Sequence, residues 1–173
     1  MKSLTQHITE RLQLNKDRVR QYEYFPETEE ELEKIIDEIT EQHKDDDIID
    51  LNMIDTSNIT DMSYLFYESK YNYDISEWNV SNVENMTCMF AYSEFNQDIS
   101  KWDVSNVRDM HNMFLCAEKF NQDISRWNVS NVENMTNIFF RSNFDKDLTP
   151  WVNKLNNEYK ENLLNYIKKY IKI

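Results

Sequence analysis

Residues 74–86 read Asp74-Ile-Ser-Glu-Trp-Asn-Val-Ser-Asn-Val-Glu-Asn-Met86, and this stretch decides the fold. Nearly the same sequence returns at 98–110 and again at 123–135. The tryptophans of the motif are 24, 25 and 24 residues apart, at Trp78, Trp102, Trp127 and Trp151. A fixed period of about 20–50 residues is the signature of a solenoid, in which each repeat packs only on its neighbours. We therefore predict a repeat protein.

The apolar positions of one repeat predict its core. In the repeat that contains Trp78 they are Ile75, Trp78, Val80, Val83, Met86, Met89, Phe90 and Phe95. We expect the segment from Val83 to Phe90 to pass from a short strand into a single helical or 3₁₀ turn. Equivalent strands would then pair in parallel about 4.8 Å apart, which gives an α+β repeat solenoid.

The repeats are predicted to occupy residues 48–152, as four to five copies of 24–25 residues, with degenerate copies at both ends. Residues 1–47 are expected to form a lead-in and an N-terminal capping helix, and residues 153–173 a C-terminal capping helix. The helix over 28–43 has a capping-box signature, Thr28 followed by Glu31, and an apolar stripe from Leu32 to Ile39. Such caps cover the apolar ends of a repeat array.

The charge excludes some partners. The net charge is −13, with −10 in residues 27–50 alone, whereas nucleic-acid binding needs Lys and Arg to neutralise phosphates. We expect no nucleic-acid partner and no membrane insertion, because no apolar run reaches the length of a membrane span. The sequence indicates no cofactor, and we expect a monomer.

Equivalent positions in successive repeats form what we call a column. The Asn column (Asn58, Asn82, Asn106, Asn131) and the Ser column (Ser57, Ser81, Ser105, Ser130) suit ladders that satisfy backbone groups of neighbouring repeats. The Asp column has two interpretations, because its carboxylates could each accept backbone N–H groups at a turn or together hold Ca²⁺. Its members are Asp50, Asp74, Asp98, Asp123 and Asp147. We favour turn capping and predict no metal.

The sequence contains no glycine and two cysteines. Left-handed backbone positions must therefore use other residues, and we expect Asn or Asp in the Asn-rich turns, because these types tolerate that conformation best after glycine. Cys88 and Cys116 fall in different columns, so we predict two isolated, partly buried thiols.

Columns that vary in residue type are the candidates for binding. The first set, on the predicted solvent side of the sheet, is Thr60, Glu84, Arg108 and Glu133, together with His111. His111 is expected to be an exposed variant of a column otherwise occupied by Ser63, Thr87 and Thr136. The alternating charges of the first set would bridge adjacent repeats. The second set is Tyr67, Ala91, Leu115 and Phe140, for which outer core packing is the favoured interpretation.

Residues for catalysis do not stand out. His7, His43 and His111 lie in unrelated regions, and none has metal-ligand spacing to Cys or another His. We predict no catalytic residue and a protein-interaction module. The alternatives are a hydrolase whose site is assembled in space and a purely structural module.

The motif Trp-Asn/Asp-Val-Ser-Asn-Val-x-x-Met-x-x-Met-Phe, followed by Phe-Asn-Gln-Asp-Ile-Ser, resembles the BspA-like leucine-rich repeat family and its mycoplasma-type lipoprotein repeat of about 25 residues. The resemblance covers residues 48–152. It implies a leucine-rich-repeat-like, right-handed stack in a bacterial surface protein that binds a host or cellular protein. The resemblance implies a protein at the cell surface or secreted, but we find no secretion or lipoprotein signal in the N-terminal sequence, so a cytoplasmic location stays open as well.

Overall fold

A computed structural model describes residues 22–152, 154, 155 and 161. The lead-in over 1–21 and most of the closing helix predicted over 153–173 lie outside the described residues. The described part contains helix α1 (Glu29–Gln42), strands β1 (Ile49–Asp50) and β2 (Tyr73–Asp74), and a short helix α2 (Thr149–Val152).

Helix α1 confirms the helix predicted over 28–43. Thr28 is its N-cap and accepts a hydrogen bond from the backbone N–H of Glu31, 3.2 Å away. The Glu31 carboxylate accepts from the backbone N–H of Glu27 instead of from Thr28, so the reciprocal bond of the capping box is displaced by one residue. The buried stripe Leu32, Ile36 and Ile39 joins the core of the repeats.

The repeats lie side by side in parallel register. Strand β1 pairs with β2, with Ile49 opposite Tyr73 and Asp50 opposite Asp74. Further along the repeat, single parallel bridges connect Asp61 to Asn85, Asn85 to Asp109, and Asp109 to Asn134. Among the described residues β1 and β2 are the only strands, so the strand expected in the segment beginning at Val83 is reduced to one bridge per repeat.

A run of turns, closed by bonds from an N–H to the carbonyl three residues back, stands where a helical or 3₁₀ turn was expected. Between Met86 and Ser93, alternate backbone N–H groups bond inside the run, for example from Met89 to the carbonyl of Met86 at 3.3 Å. The intervening N–H groups point to the next repeat, as from Cys88 to the carbonyl of His111 at 2.9 Å. The same alternation recurs at 62–69 and 110–117. This scheme satisfies the backbone without regular strands or helices.

Aromatic rings form continuous ladders through the core. Phe66, Phe90, Phe114 and Phe139 stack with centroids 5.4–5.6 Å apart and interplanar angles of 6–10°. Trp102, Trp127 and Trp151 stack at 6.1–6.3 Å. Offset-stacked rings at these separations are favourable beyond their buried area, so the ladders fix the register between repeats.

The tryptophans also bind the preceding repeat through their polar atom. The indole Nε1–H of Trp78, Trp102, Trp127 and Trp151 donates to the carbonyl of Leu51, Ile75, Ile99 and Ile124, respectively, at 2.9–3.1 Å. Because all four side chains are buried, each bond satisfies a donor that would otherwise be costly to bury.

Candidate functional site

The Asn and Asp columns have structural roles. Asn82, Asn106 and Asn131 donate from their side-chain amides to the carbonyls of Ser57, Ser81 and Ser105 in the preceding repeat, at 2.6–2.7 Å. This confirms the predicted Asn ladder.

Every member of the Asp column caps a turn. The carboxylates of Asp50, Asp74, Asp98, Asp123 and Asp147 each accept the backbone N–H two residues further on, at 2.8–3.0 Å. The pKa of Asp98 is lowered mainly by its bond with the backbone N–H of Ser100 and secondly by the Ser100 hydroxyl. The pKa of Asp123 is lowered mainly by the Ser125 hydroxyl and secondly by the Ser125 backbone N–H. The turn-capping interpretation is therefore confirmed.

Left-handed backbone occurs in two other columns. Positive φ angles of 53–61° are found at Tyr64, Cys88, Asn112 and Asn137 and at Glu68, Tyr92, Cys116 and Arg141. The prediction that the Asn-rich turns would supply these positions was wrong, because six of these eight residues are neither Asn nor Asp. Six of the eight residues, those from Tyr64 to Cys116, donate their backbone N–H to a carbonyl of the next repeat, and this pairing favours the left-handed conformation whatever the residue type. A left-handed non-glycine residue costs roughly 1–2 kcal/mol.

Two residues of these columns, Tyr64 and Tyr92, belong to an exposed group of large apolar side chains. Tyr64, Tyr67 and Tyr92 are 55%, 40% and 49% exposed, and Phe140 is 38% exposed. Leu115 is half-buried between them in the column of Tyr67 and Phe140. We call Tyr64, Tyr67, Tyr92, Leu115 and Phe140 the aromatic face.

The rings of the aromatic face contact one another. Tyr67 meets Tyr64 edge-to-face at 5.7 Å and Tyr92 edge-to-face at 5.8 Å between centroids. The guanidinium of Arg141 lies 5.5 Å from the centre of the Phe140 ring. For the second candidate set, outer core packing holds for Ala91, which is fully buried, and is wrong for Tyr67 and Phe140.

Neighbouring side chains raise the pKa of two tyrosines on this face, Tyr64 and Tyr67. A hydrogen bond with the Cys88 thiol raises the pKa of Tyr64. A hydrogen bond to the Glu68 carboxylate raises the pKa of Tyr67. Cys88 is buried and Cys116 partly buried, and both are free, as predicted from their separate columns.

The first candidate set forms a chain of ion pairs. The Arg108 guanidinium lies 3.6 Å from a Glu84 carboxylate oxygen and 3.1 Å from one of Glu133. All three side chains are about 60% exposed, and Thr60 at the end of the column is exposed as well. The predicted bridging between adjacent repeats is confirmed. It contributes little stability, because exposed pairs are worth about 0–1 kcal/mol.

His111 differs from its expectation as an exposed variant. It is half-buried, its backbone N–H donates to the Asp109 carboxylate at 2.7 Å, and its Nδ1 atom is buried without a hydrogen-bond partner. The structure therefore does not place His111 as an open contact residue beside Arg108.

Comparison with known proteins identifies the family. The model of a family described as "Mycoplasma protein of unknown function, DUF285" matches residues 31–162. The chain belongs to the DUF285 family. No curated protein and no solved structure matches it.

In this DUF285 chain, the described residues include two histidines, His43 and His111. His43 pairs with Asp46 at 2.9 Å on the exposed surface after α1. Within 22–152, 154, 155 and 161, no three His, Cys, Asp or Glu side chains are grouped to hold a metal ion. No helix in that same part of the chain is long and apolar enough to cross a membrane.

Proposed function

We propose that this DUF285 chain is a BspA-like protein-interaction module whose side-by-side repeats form a leucine-rich-repeat-like solenoid, and that its partner binds the aromatic face. The observation that carries the proposal is the exposure of Tyr64, Tyr67 and Tyr92, with the Tyr67 ring in contact with the other two. Contiguous exposed apolar surface is uncommon on monomeric proteins and usually marks an interaction site. Tyrosine is also enriched among the residues that dominate binding energy.

The backbone under the aromatic face positions two of its rings. Tyr64 and Tyr92 occupy left-handed positions, with φ angles of 61° and 60°. The same conformation occurs at equivalent positions such as Cys88 and Cys116, so it belongs to the repeat scaffold and does not by itself mark a site.

The ion-pair column is the weaker candidate surface. Arg108 already has both neighbouring carboxylates within 3.6 Å, so a partner would have to displace these contacts. The hydrolase alternative gains no support from the two described histidines, because His43 pairs with the exposed Asp46 and the Nδ1 atom of His111 has no hydrogen-bond partner. The resemblance to repeat surface proteins favours a host or cellular protein as partner.

Two matched variants test the proposal. The first carries Tyr64→Ser, Tyr67→Ser and Tyr92→Ser, and the second carries Glu84→Gln, Arg108→Gln and Glu133→Gln. Each is immobilised beside the unaltered chain, exposed to host extracellular proteins and to cell lysate, and the captured proteins are quantified by mass spectrometry.

We expect a captured protein that disappears with the tyrosine variant and persists with the ion-pair variant. Loss with the ion-pair variant alone would move the site to Glu84, Arg108 and Glu133. Unchanged capture by both variants would refute binding through either surface. Thermal unfolding of both variants checks that they are folded, and exposed substitutions of this kind are expected to change stability by less than about 1 kcal/mol.

A further inference from the structure

The tyrosine trio, defined as Tyr64, Tyr67 and Tyr92, has the chemistry of a cation-binding surface. The face of an aromatic ring is electron-rich and attracts a Lys or Arg group within about 6 Å of its centre. The chain itself uses this contact on two other rings, with Lys70 over Tyr71 at 5.0 Å and Arg141 over Phe140 at 5.5 Å. Among the described residues, no cation of the chain lies over the trio.

An acidic group stands at the edge of the trio. Glu68 is exposed and follows Tyr67 directly in sequence, and its carboxylate lies near enough to the Tyr67 hydroxyl to raise the pKa of that hydroxyl. A cation over the rings would therefore also meet a carboxylate, a pairing that a neutral ligand cannot use. The chain as a whole carries a net charge of −13, which accelerates the approach of a basic partner and slows that of an acidic one.

We propose that the tyrosine trio and Glu68 bind an arginine or lysine side chain presented by a basic protein segment. This inference rests on the proposed function and specifies its partner. Arginine is the better fit, because its planar guanidinium stacks on aromatic rings and bonds a carboxylate at the same time. A second copy of this chain is the poorer occupant, because two copies that each carry −13 repel one another.

Fluorescence anisotropy with a labelled octa-arginine peptide in about 0.15 M salt tests the proposal at a Debye length of roughly 8 Å. Octa-citrulline is the matched probe, since citrulline keeps the planar side chain and lacks the charge. We expect saturable binding of octa-arginine and at least about tenfold weaker binding of octa-citrulline. Equal affinities would overturn the proposal, because the charge would then play no part.

A variant with Tyr64→Leu, Tyr67→Leu and Tyr92→Leu keeps the net charge and removes the rings. At about 0.5–1 kcal/mol per exposed ring, octa-arginine should bind at least about tenfold more weakly. The corresponding Tyr→Phe variant keeps the rings and should bind within about twofold of the unaltered chain. Phe25→Leu, which removes an exposed ring outside the aromatic face, is the control and should change nothing. Full affinity in the Leu variant would show diffuse electrostatic attraction and overturn the proposal.

Two further measurements separate the remaining outcomes. Glu68→Gln should weaken octa-arginine binding more than Glu118→Gln, which changes the charge equally at another exposed position. Sedimentation should show the same oligomeric state for the unaltered chain and for the Leu variant. If the unaltered chain is a dimer and the Leu variant a monomer, a second copy of the chain occupies the trio and the proposal is overturned. If capture in the pull-down depends on the trio while octa-arginine binding does not, only this inference fails. If neither depends on the trio, the proposed function fails too.

Discussion

Arg141 offers a direct test of the strained backbone beneath the aromatic face. Its φ angle is 59° and its side chain is exposed. Arg141→Gly and Arg141→Ala both lose the contact of the guanidinium with Phe140, so the difference between them isolates the backbone. Alanine keeps the left-handed cost of roughly 1–2 kcal/mol, which glycine removes. Glycine also lowers the free energy of unfolding by about 0.5–1 kcal/mol, because it makes the unfolded chain more flexible.

The glycine variant should therefore be more stable than the alanine variant by roughly 0.5–1 kcal/mol, or about 1–4 °C in Tm. The control is the same pair at Lys101, an exposed turn residue without a positive φ, where alanine should be the more stable. Urea unfolding followed by tryptophan fluorescence measures all four variants. An alanine variant as stable as or more stable than the glycine variant at Arg141 would refute the assignment of backbone strain to this column.

Three further predictions concern the repeats. The Ser125 hydroxyl and backbone N–H lower the pKa of Asp123 from 3.8. The ionised Asp123 carboxylate therefore stabilises the fold above about pH 4, and this contribution is lost as the pH falls through the lower pKa of the folded state. The Asp123→Asn variant should consequently show a smaller drop in Tm between about pH 4 and pH 2 than the unaltered chain. Arg108→Gln should lower the free energy of unfolding, measured with urea, by less than about 1 kcal/mol. In about 1 M salt most of this difference from the unaltered chain should disappear, because salt screens the ion pairs. Trp127→Phe should cost about 2–4 kcal/mol in the same assay, because the carbonyl of Ile99 loses its donor and a cavity opens in the ring ladder; a loss below about 1 kcal/mol would contradict the role of the indole bond.

Much of the scaffold could be predicted because it depends on local chemistry. Thr28 followed by acidic residues and an apolar stripe is enough to begin helix α1. An Asp or Asn at a turn has few partners other than nearby backbone groups, and the bonds of Asp123 and Asn106 follow that rule. The alternating charges at Glu84, Arg108 and Glu133 meet because equivalent residues of adjacent repeats lie side by side.

The features that could not be predicted from the sequence depend on pairing between repeats. The left-handed backbone at Tyr92 and Cys116 opposes the preference of those residue types. It is favoured by N–H groups that bond the next repeat, as from Tyr92 to the carbonyl of Leu115 at 2.7 Å. Tyr64 and Tyr92 are exposed at these positions, whereas Cys88, in the column of Tyr64, is buried. The sequence offered one signal of the aromatic face: the column from Tyr67 to Phe140 varies in residue type although it directly follows the core Phe of each repeat.

Covalent labelling of tyrosine side chains, with and without a captured partner, tests binding at the aromatic face most directly. Labelled peptides analysed by mass spectrometry report each ring separately, and Tyr71, which already lies under Lys70, serves as the internal reference. We expect the partner to protect Tyr64, Tyr67 and Tyr92 several-fold while the labelling of Tyr71 stays unchanged. Equal labelling of the three tyrosines in the free and bound chain would contradict a contact through the aromatic face.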